Sequence, residues 1–106
     1  VGRKDLPLSY QAVQMGHAAI DFQHNHSSIA KDWNQNSNYL VFLSAKDEKH
    51  LEVLLQKAEF KGLKTTSFRE PDINNELTAI TIEPSKITKK LVSNLPLFGK
   101  KVSSCV

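Results

Sequence analysis

The sequence predicts an α/β fold, and three observations predict it. Apolar runs of strand length alternate with stretches whose apolar residues recur at three- and four-residue spacing, the mark of buried helix faces. The resulting order is β, α, β, α, β, β, α, and parallel neighbours in a sheet need helical crossovers of this kind. The last two strand segments are joined by a polar loop alone, so they can pair directly and make the sheet mixed. The expectation is a three-layer α/β/α arrangement around a mixed, mostly parallel four-stranded sheet, in a single domain over residues 1–106.

A first strand is placed at the start, ahead of the charged triplet Arg3-Lys4-Asp5. The chain opens at Val1 without a methionine, and further residues of that strand are expected upstream. After Pro7, Ser9 suits an N-cap, and Ala12, Met15, Ala19 and Phe22 mark one buried stripe on a helix over about residues 9–24. Gly16 costs about 1 kcal/mol relative to Ala inside a helix, which suggests that it permits close approach of a backbone or ligand.

Residues 25–38, "NHSSIAKDWNQNSN", are polar and leave room for a short helix near Ile29 to Trp33. "YLVFLSA", from Tyr39, is a continuous apolar run and reads as an inner strand covered on both faces. Asp47 then caps a helix that buries Leu51, Leu54, Leu55 and Ala58, and Gly62 supplies its left-handed stop. "LKTTSF" and "LTAITI" read as two strands flanking the loop "REPDINNE". A last helix follows Pro84, with Ile87, Leu91 and Leu95 inward, and ends at Pro96.

Composition sets the class rather than the chemistry. Apolar residues at 40% and charged residues at 24% suit a folded globular domain. A net charge of +3 would suit a polyanionic partner, yet there is no dense basic tract. Cys105 is the only cysteine, which excludes an intrachain disulfide and a Cys-based zinc site and fits a reducing, cytoplasmic setting. No apolar run has the length of a membrane span, and the start lacks the order of a secretory signal.

No Gly-rich phosphate loop, nucleophile elbow, HExxH or EF-hand spacing is present. Of the four histidines, His24 and His26 form an H-x-H without an evident third ligand, so neither metal nor cofactor is expected. His17 lies at the border between the apolar stripe and a flank carrying Gln11 and Gln14. It reads either as a structural histidine or as a general base or phosphate contact, which an imidazole's near-neutral pKa allows. The triplet Arg3-Lys4-Asp5 stands at the carboxyl end of its strand, where α/β sheets place their sites, and is expected to line the same cleft. The loop from Arg69 to Thr78 concentrates Glu70, Asp72, Asn74, Asn75 and Glu76. It is a polar turn or, if its carboxylates face His17, a means of orienting that ring.

"RKDL", then "QMGHAA", then "LTAITIEP" and "LPLF" together resemble the type II peptidyl-tRNA hydrolases over about residues 2–98. The resemblance implies hydrolysis of the ester between a peptide and tRNA, without a cofactor, by a cytoplasmic protein that is often a homodimer. It implies His17, Thr78 and either Glu70 or Asp72 as the catalytic set. Arg3, Lys4, Asp5, Tyr10, Gln14 and Asn75 would face the substrate, with Lys64 as a further phosphate contact. The family's active-site lysine, four residues before the glutamine, is replaced here by Tyr10, and "EPDINNELT" replaces the usual aspartate-alanine-glycine-threonine stretch. Both departures are shared with the divergent peptidyl-tRNA hydrolase domain-containing branch. A phenol carries no charge near neutral pH, so the alternative is a tRNA-binding or protein-interaction module without hydrolysis.

Overall fold

Helices carry most of the regular structure, and two of the strands are only two residues long. The computed structural model describes residues 1–99, and Cys105 lies outside the described residues. In order, the elements are β1 (Gly2–Arg3), α1 (Leu8–Asn25), α2 (Ser27–Asn36), β2 (Ser44–Ala45), α3 (Glu48–Phe60), β3 (Thr65–Glu70), a 3-10 turn (Pro71–Ile73), β4 (Glu76–Ile82) and α4 (Lys86–Leu91).

The strands form one mixed sheet in the order β2-β1-β4-β3. Only β1 and β2 run parallel; β4 is antiparallel to both β1 and β3. The expected mostly parallel sheet is therefore corrected. A helical crossover links β1 to β2, whereas β4 follows β3 through a short turn and then runs against both of its neighbours.

"YLVFLSA" is the second correction. Only Ser44–Ala45 is strand, at the sheet edge, and Tyr39, Leu40 and Val41 are exposed. The outer side of this segment is lined by the chain after α4: Ser44 N–H donates to Pro96 O and Phe98 N–H to Phe42 O, both at 2.9 Å. Tyr39 to Leu43 instead form one lip of an apolar hollow of about 470 Å³ that also touches α1, α2 and α4. Periodicity registers an apolar run but not what covers it.

In α1 the buried residues are Gln11, Gln14, Met15, Ala18 and Phe22, while Ala12 is exposed. The stripe is shifted because two glutamines with hydrogen-bond partners sit inward, and a count of apolar residues passes over them. Pro7 stands at the N-cap rather than Ser9, with no side-chain cap, and Pro suits a helix start because it has no N–H to satisfy. A Cβ at Gly16 would meet nothing within 4 Å, so no close approach explains that residue. At Gly2 a Cβ would lie 2.9 Å from Met15 Cγ, so there the absence of a side chain is what lets α1 sit against β1.

Helix α2 is longer than expected, at ten residues, and buries none of them. Helix α3 matches its expectation: Asp47 accepts the His50 N–H at 2.9 Å, the apolar face is buried, and Gly62 has φ +76°. Helix α4 is shorter, and Ile87 is half exposed rather than inward. Leu91, Val92 and Leu95 do pack on the cluster made by α3 and β4.

One irregularity in β4 decides which way the site residues point. Phe68 pairs with Ala79, but the next residue, Arg69, pairs with Leu77, leaving Thr78 as the extra residue of a β-bulge. Strict alternation would send Thr78 and Ala79 to opposite faces. Instead Ala79 packs with Met15 and Ala18 of α1, and Thr78 reaches Gln14 of the same helix. Leu77 and Ile80, on either side, join Leu51, Leu54 and Leu55 of α3.

Candidate active site

Tyr10, Gln14 and His17 are spaced i, i+4, i+7 on α1 and so share one stripe. That stripe faces the end of β3, where Phe68 and Glu70, two residues apart on a strand, point the same way. The bulge adds Thr78 from β4. These six side chains are drawn together from three elements.

A hydrogen-bond chain runs through their centre. Thr78 Oγ1 lies 2.5 Å from Gln14 Oε1, and Gln14 Nε2 donates to Glu70 Oε1 at 2.9 Å. A carboxylate only accepts, so the amide nitrogen must face Glu70, and its oxygen then takes the hydroxyl proton of Thr78. Thr78 Oγ1 also lies 3.2 Å from Phe68 O, a longer alternative for the same proton. Gln14 and Thr78 are both essentially without solvent exposure, so this chain is a fixed part of the molecule.

Glu70 is held charged. The Gln14 amide, then the Asp72 N–H, keep its carboxyl below the ordinary carboxylate value; partial burial opposes them, and the positive form of His17 and the Tyr10 hydroxyl add to the lowering. Tyr10 moves the other way, raised by loss of water and then by the charges of Glu70 and Asp72. Its phenol is neutral near pH 7. His17 lies flat on Phe68, with ring centroids 4.5 Å apart and planes 11° from parallel, and its edge remains exposed. A stacked, solvent-reaching imidazole close to a carboxylate can take a proton from water and return it.

The loop residues divide. Glu70 belongs to β3 and joins the α1 stripe, whereas Asp72 is exposed on the 3-10 turn and meets Glu70 through its main chain, N–H to Oε2 at 3.3 Å. Asn75 is exposed in the left-handed region, φ +59°, and its N–H donates to Glu70 O at 2.9 Å. It holds the turn in shape.

The triplet does not join this stripe. Gly2 faces α1, so alternation directs Arg3 to the other side of the sheet. There its guanidinium, buried, grips Asp5 through Nε and Nη2 at 3.0 and 2.8 Å, Glu76 at 2.8 Å and Leu77 O at 3.1 Å. The Arg3 hydrogen bond holds the Asp5 carboxyl below its ordinary value, while that bond and, after a burial cost, Glu76 raise Arg3 further. These ion pairs occupy Arg3 within the fold, and Lys4 alone of the two cations is exposed. Lys64 is exposed as well.

Sequence reasoning missed Phe68 and Glu48, and it grouped Glu76 with the loop carboxylates rather than with Arg3. Phe68 was within reach, because it stands two residues before Glu70 on a strand. Glu48 and Glu76 carry no local signal for their distant partners. His26 Nε2 donates to Thr65 O, 3.1 Å away, and its ring rests on Phe22, so it belongs to the packing of α1. Among the described residues no group of three His, Cys, Asp or Glu converges on a metal site, and no helix is long and apolar enough to cross a membrane.

The model of the family described as Peptidyl-tRNA hydrolase PTH2 matches residues 1–98, which takes in every element named above.

Proposed function

The chain belongs to the peptidyl-tRNA hydrolase PTH2 family, and from that premise we propose that it hydrolyses the ester joining a peptide to the terminal ribose of tRNA. The observation that carries this reading is that the buried Thr78–Gln14 pair fixes a charged Glu70 carboxylate near the exposed ring of His17. It places a base, an anion and aligned polar groups at one surface, which is what ester hydrolysis by water needs.

His17 acts as the base. It takes a proton from water as the water oxygen attacks the ester carbonyl carbon. When the tetrahedral intermediate collapses, the ribose oxygen leaves with the proton from His17. The products are a free peptide acid and tRNA with its hydroxyl restored. Thr78 and Gln14, both buried, hold Glu70 in register from beneath, with Asp72, Tyr10 and Asn75 at the rim. Exposed Lys4 and Lys64 suit the tRNA phosphates, so affinity falls as salt rises. On the same reading the fold is a three-layer α/β/α arrangement in a cytoplasmic homodimer, and the division of Ala79 and Ile80 between the α1 and α3 clusters supports the layering.

His17→Ala tests the reaction. Turnover of peptidyl-tRNA should fall roughly a hundredfold or more, the usual scale for a lost general base, with the circular dichroism spectrum retained. Unchanged turnover would overturn the assignment. Tyr10 favours a second reading: a neutral phenol beside Glu70 stands where the resemblance puts a cation, and a protein of this shape could bind tRNA without cleaving it. Salt-sensitive tRNA binding by a parent that shows no ester cleavage would select that reading.

A further inference from the structure

The bulge that turns Thr78 toward Gln14 is clamped from the opposite side of the sheet. Along this edge of β4, Val1 exchanges main-chain hydrogen bonds with Ile80 and Gly2 lies opposite Ala79, and the next part of the edge, at Leu77, has no strand beside it. Both main-chain polar groups of Leu77 are nonetheless satisfied: its N–H donates to Glu48 Oε2 at 2.8 Å, and its C=O accepts from Arg3 Nη1 at 3.1 Å. Two charged side chains stand in for a strand. Arg3 is itself fixed by Asp5 and Glu76, and Glu48 by its place in the first turn of α3, directly after the Asp47 cap.

The geometry points to Glu48, with Arg3, as a positioning residue for the active site. Thr78 follows Leu77 directly, so the direction of its hydroxyl depends on where the Leu77 peptide groups are held. Without an acceptor at Leu77 N–H, the edge of β4 is free to slide toward regular alternation, which would turn Thr78 away from Gln14. Gln14 Oε1 would lose its donor and Glu70 its fixed amide. The inference rests on the proposed hydrolysis for its kinetic consequence but not for its structural one.

The test compares Glu48→Ala with Glu48→Gln in the full chain, by kcat and KM for peptidyl-tRNA and by the side-chain amide resonances of Gln14 in nitrogen-15 spectra. In Glu48→Ala, kcat should drop by about tenfold or more, as misplaced groups do, with KM little changed. The Gln14 amide protons should shift and exchange faster. Glu48→Gln keeps an oxygen for the Leu77 N–H and should restore both readouts. Unmoved Gln14 resonances in Glu48→Ala would overturn the inference, as would a Glu48→Gln variant no better than Glu48→Ala. If the parent shows no turnover, the hydrolase reading fails and the amide spectra still decide this one.

Discussion

The hydroxyl of Thr78 on β4 lies 2.5 Å from the side-chain oxygen of Gln14 on α1, sixty-four residues earlier in the chain and buried with it. This bond ties the sheet to the helix at the point where the site is built. Thr78→Val keeps the shape and removes the donor, leaving Gln14 Oε1 buried without a partner. Stability should fall by about 1–3 kcal/mol, the cost of one unsatisfied buried polar group. Urea unfolding measures it. Gln14→Leu, which removes the amide from both neighbours, should lose at least as much, and the double variant should lose less than the sum because the two share one network.

Acid should loosen the same region. Glu70 and Asp5 both have folded values below their ordinary ones, 4.5 and 3.8, so each contributes stability that is complete above those values and is lost as pH falls through the lower folded value. The sign follows from the unfolded chain binding protons first. Unfolding free energy should therefore be flat from neutral pH down to about 5 on account of these two groups and decline below it. Glu70→Gln should flatten that decline. A variant with the parent's full acid dependence would remove Glu70 from the account.

Gly16 offers a gain. It lies inside α1, and a Cβ there would meet nothing within 4 Å. Alanine loses less backbone freedom on folding, so Gly16→Ala should raise stability by about 0.5–1 kcal/mol. A thermal melt showing a lower midpoint would mean that the helix face at this position is not open.

What was legible in the sequence depended on how local its cause was. Asp47, the face of α3 and Gly62 were readable because a cap, a period and a left-handed stop act within a few residues. His17 and Gln14 could be grouped because helical spacing places them on one flank, whereas Tyr10 and Thr78 could be named only from the family resemblance. The direction of Thr78 could not be read, because the bulge that turns it is a mismatch between two strands and leaves no mark on either alone. Arg3 read as a cation for phosphate because its short-range partner Asp5 was visible while Glu76 and the Leu77 carbonyl were not. "YLVFLSA" failed for the same reason: the sequence carries its apolarity, and only the position of β1 and the return of the chain at Pro96 decide what covers it.

Tyr10→Lys addresses what the site lacks. Loss of water and then the charges of Glu70 and Asp72 raise the phenol, so it can donate a hydrogen bond but supplies no positive charge. An ammonium on the same turn of α1 would meet both carboxylates and remain protonated, and its charge could be shared with an anion forming on the ester. Stabilisation of a developing oxyanion by one donor is worth about 10²–10³ in rate, and a partial share of that should appear as a tenfold or greater rise in kcat. Tyr10→Phe separates charge from hydrogen bonding: if the hydroxyl already serves the reaction, its loss lowers kcat, whereas a bystander phenol leaves it unchanged. A Lys variant no faster than a parent that His17→Ala inactivates would mean that the Thr78–Gln14–Glu70 chain and His17 suffice without a cation. A Lys variant that cleaves where the parent only binds would place the missing activity in this one side chain.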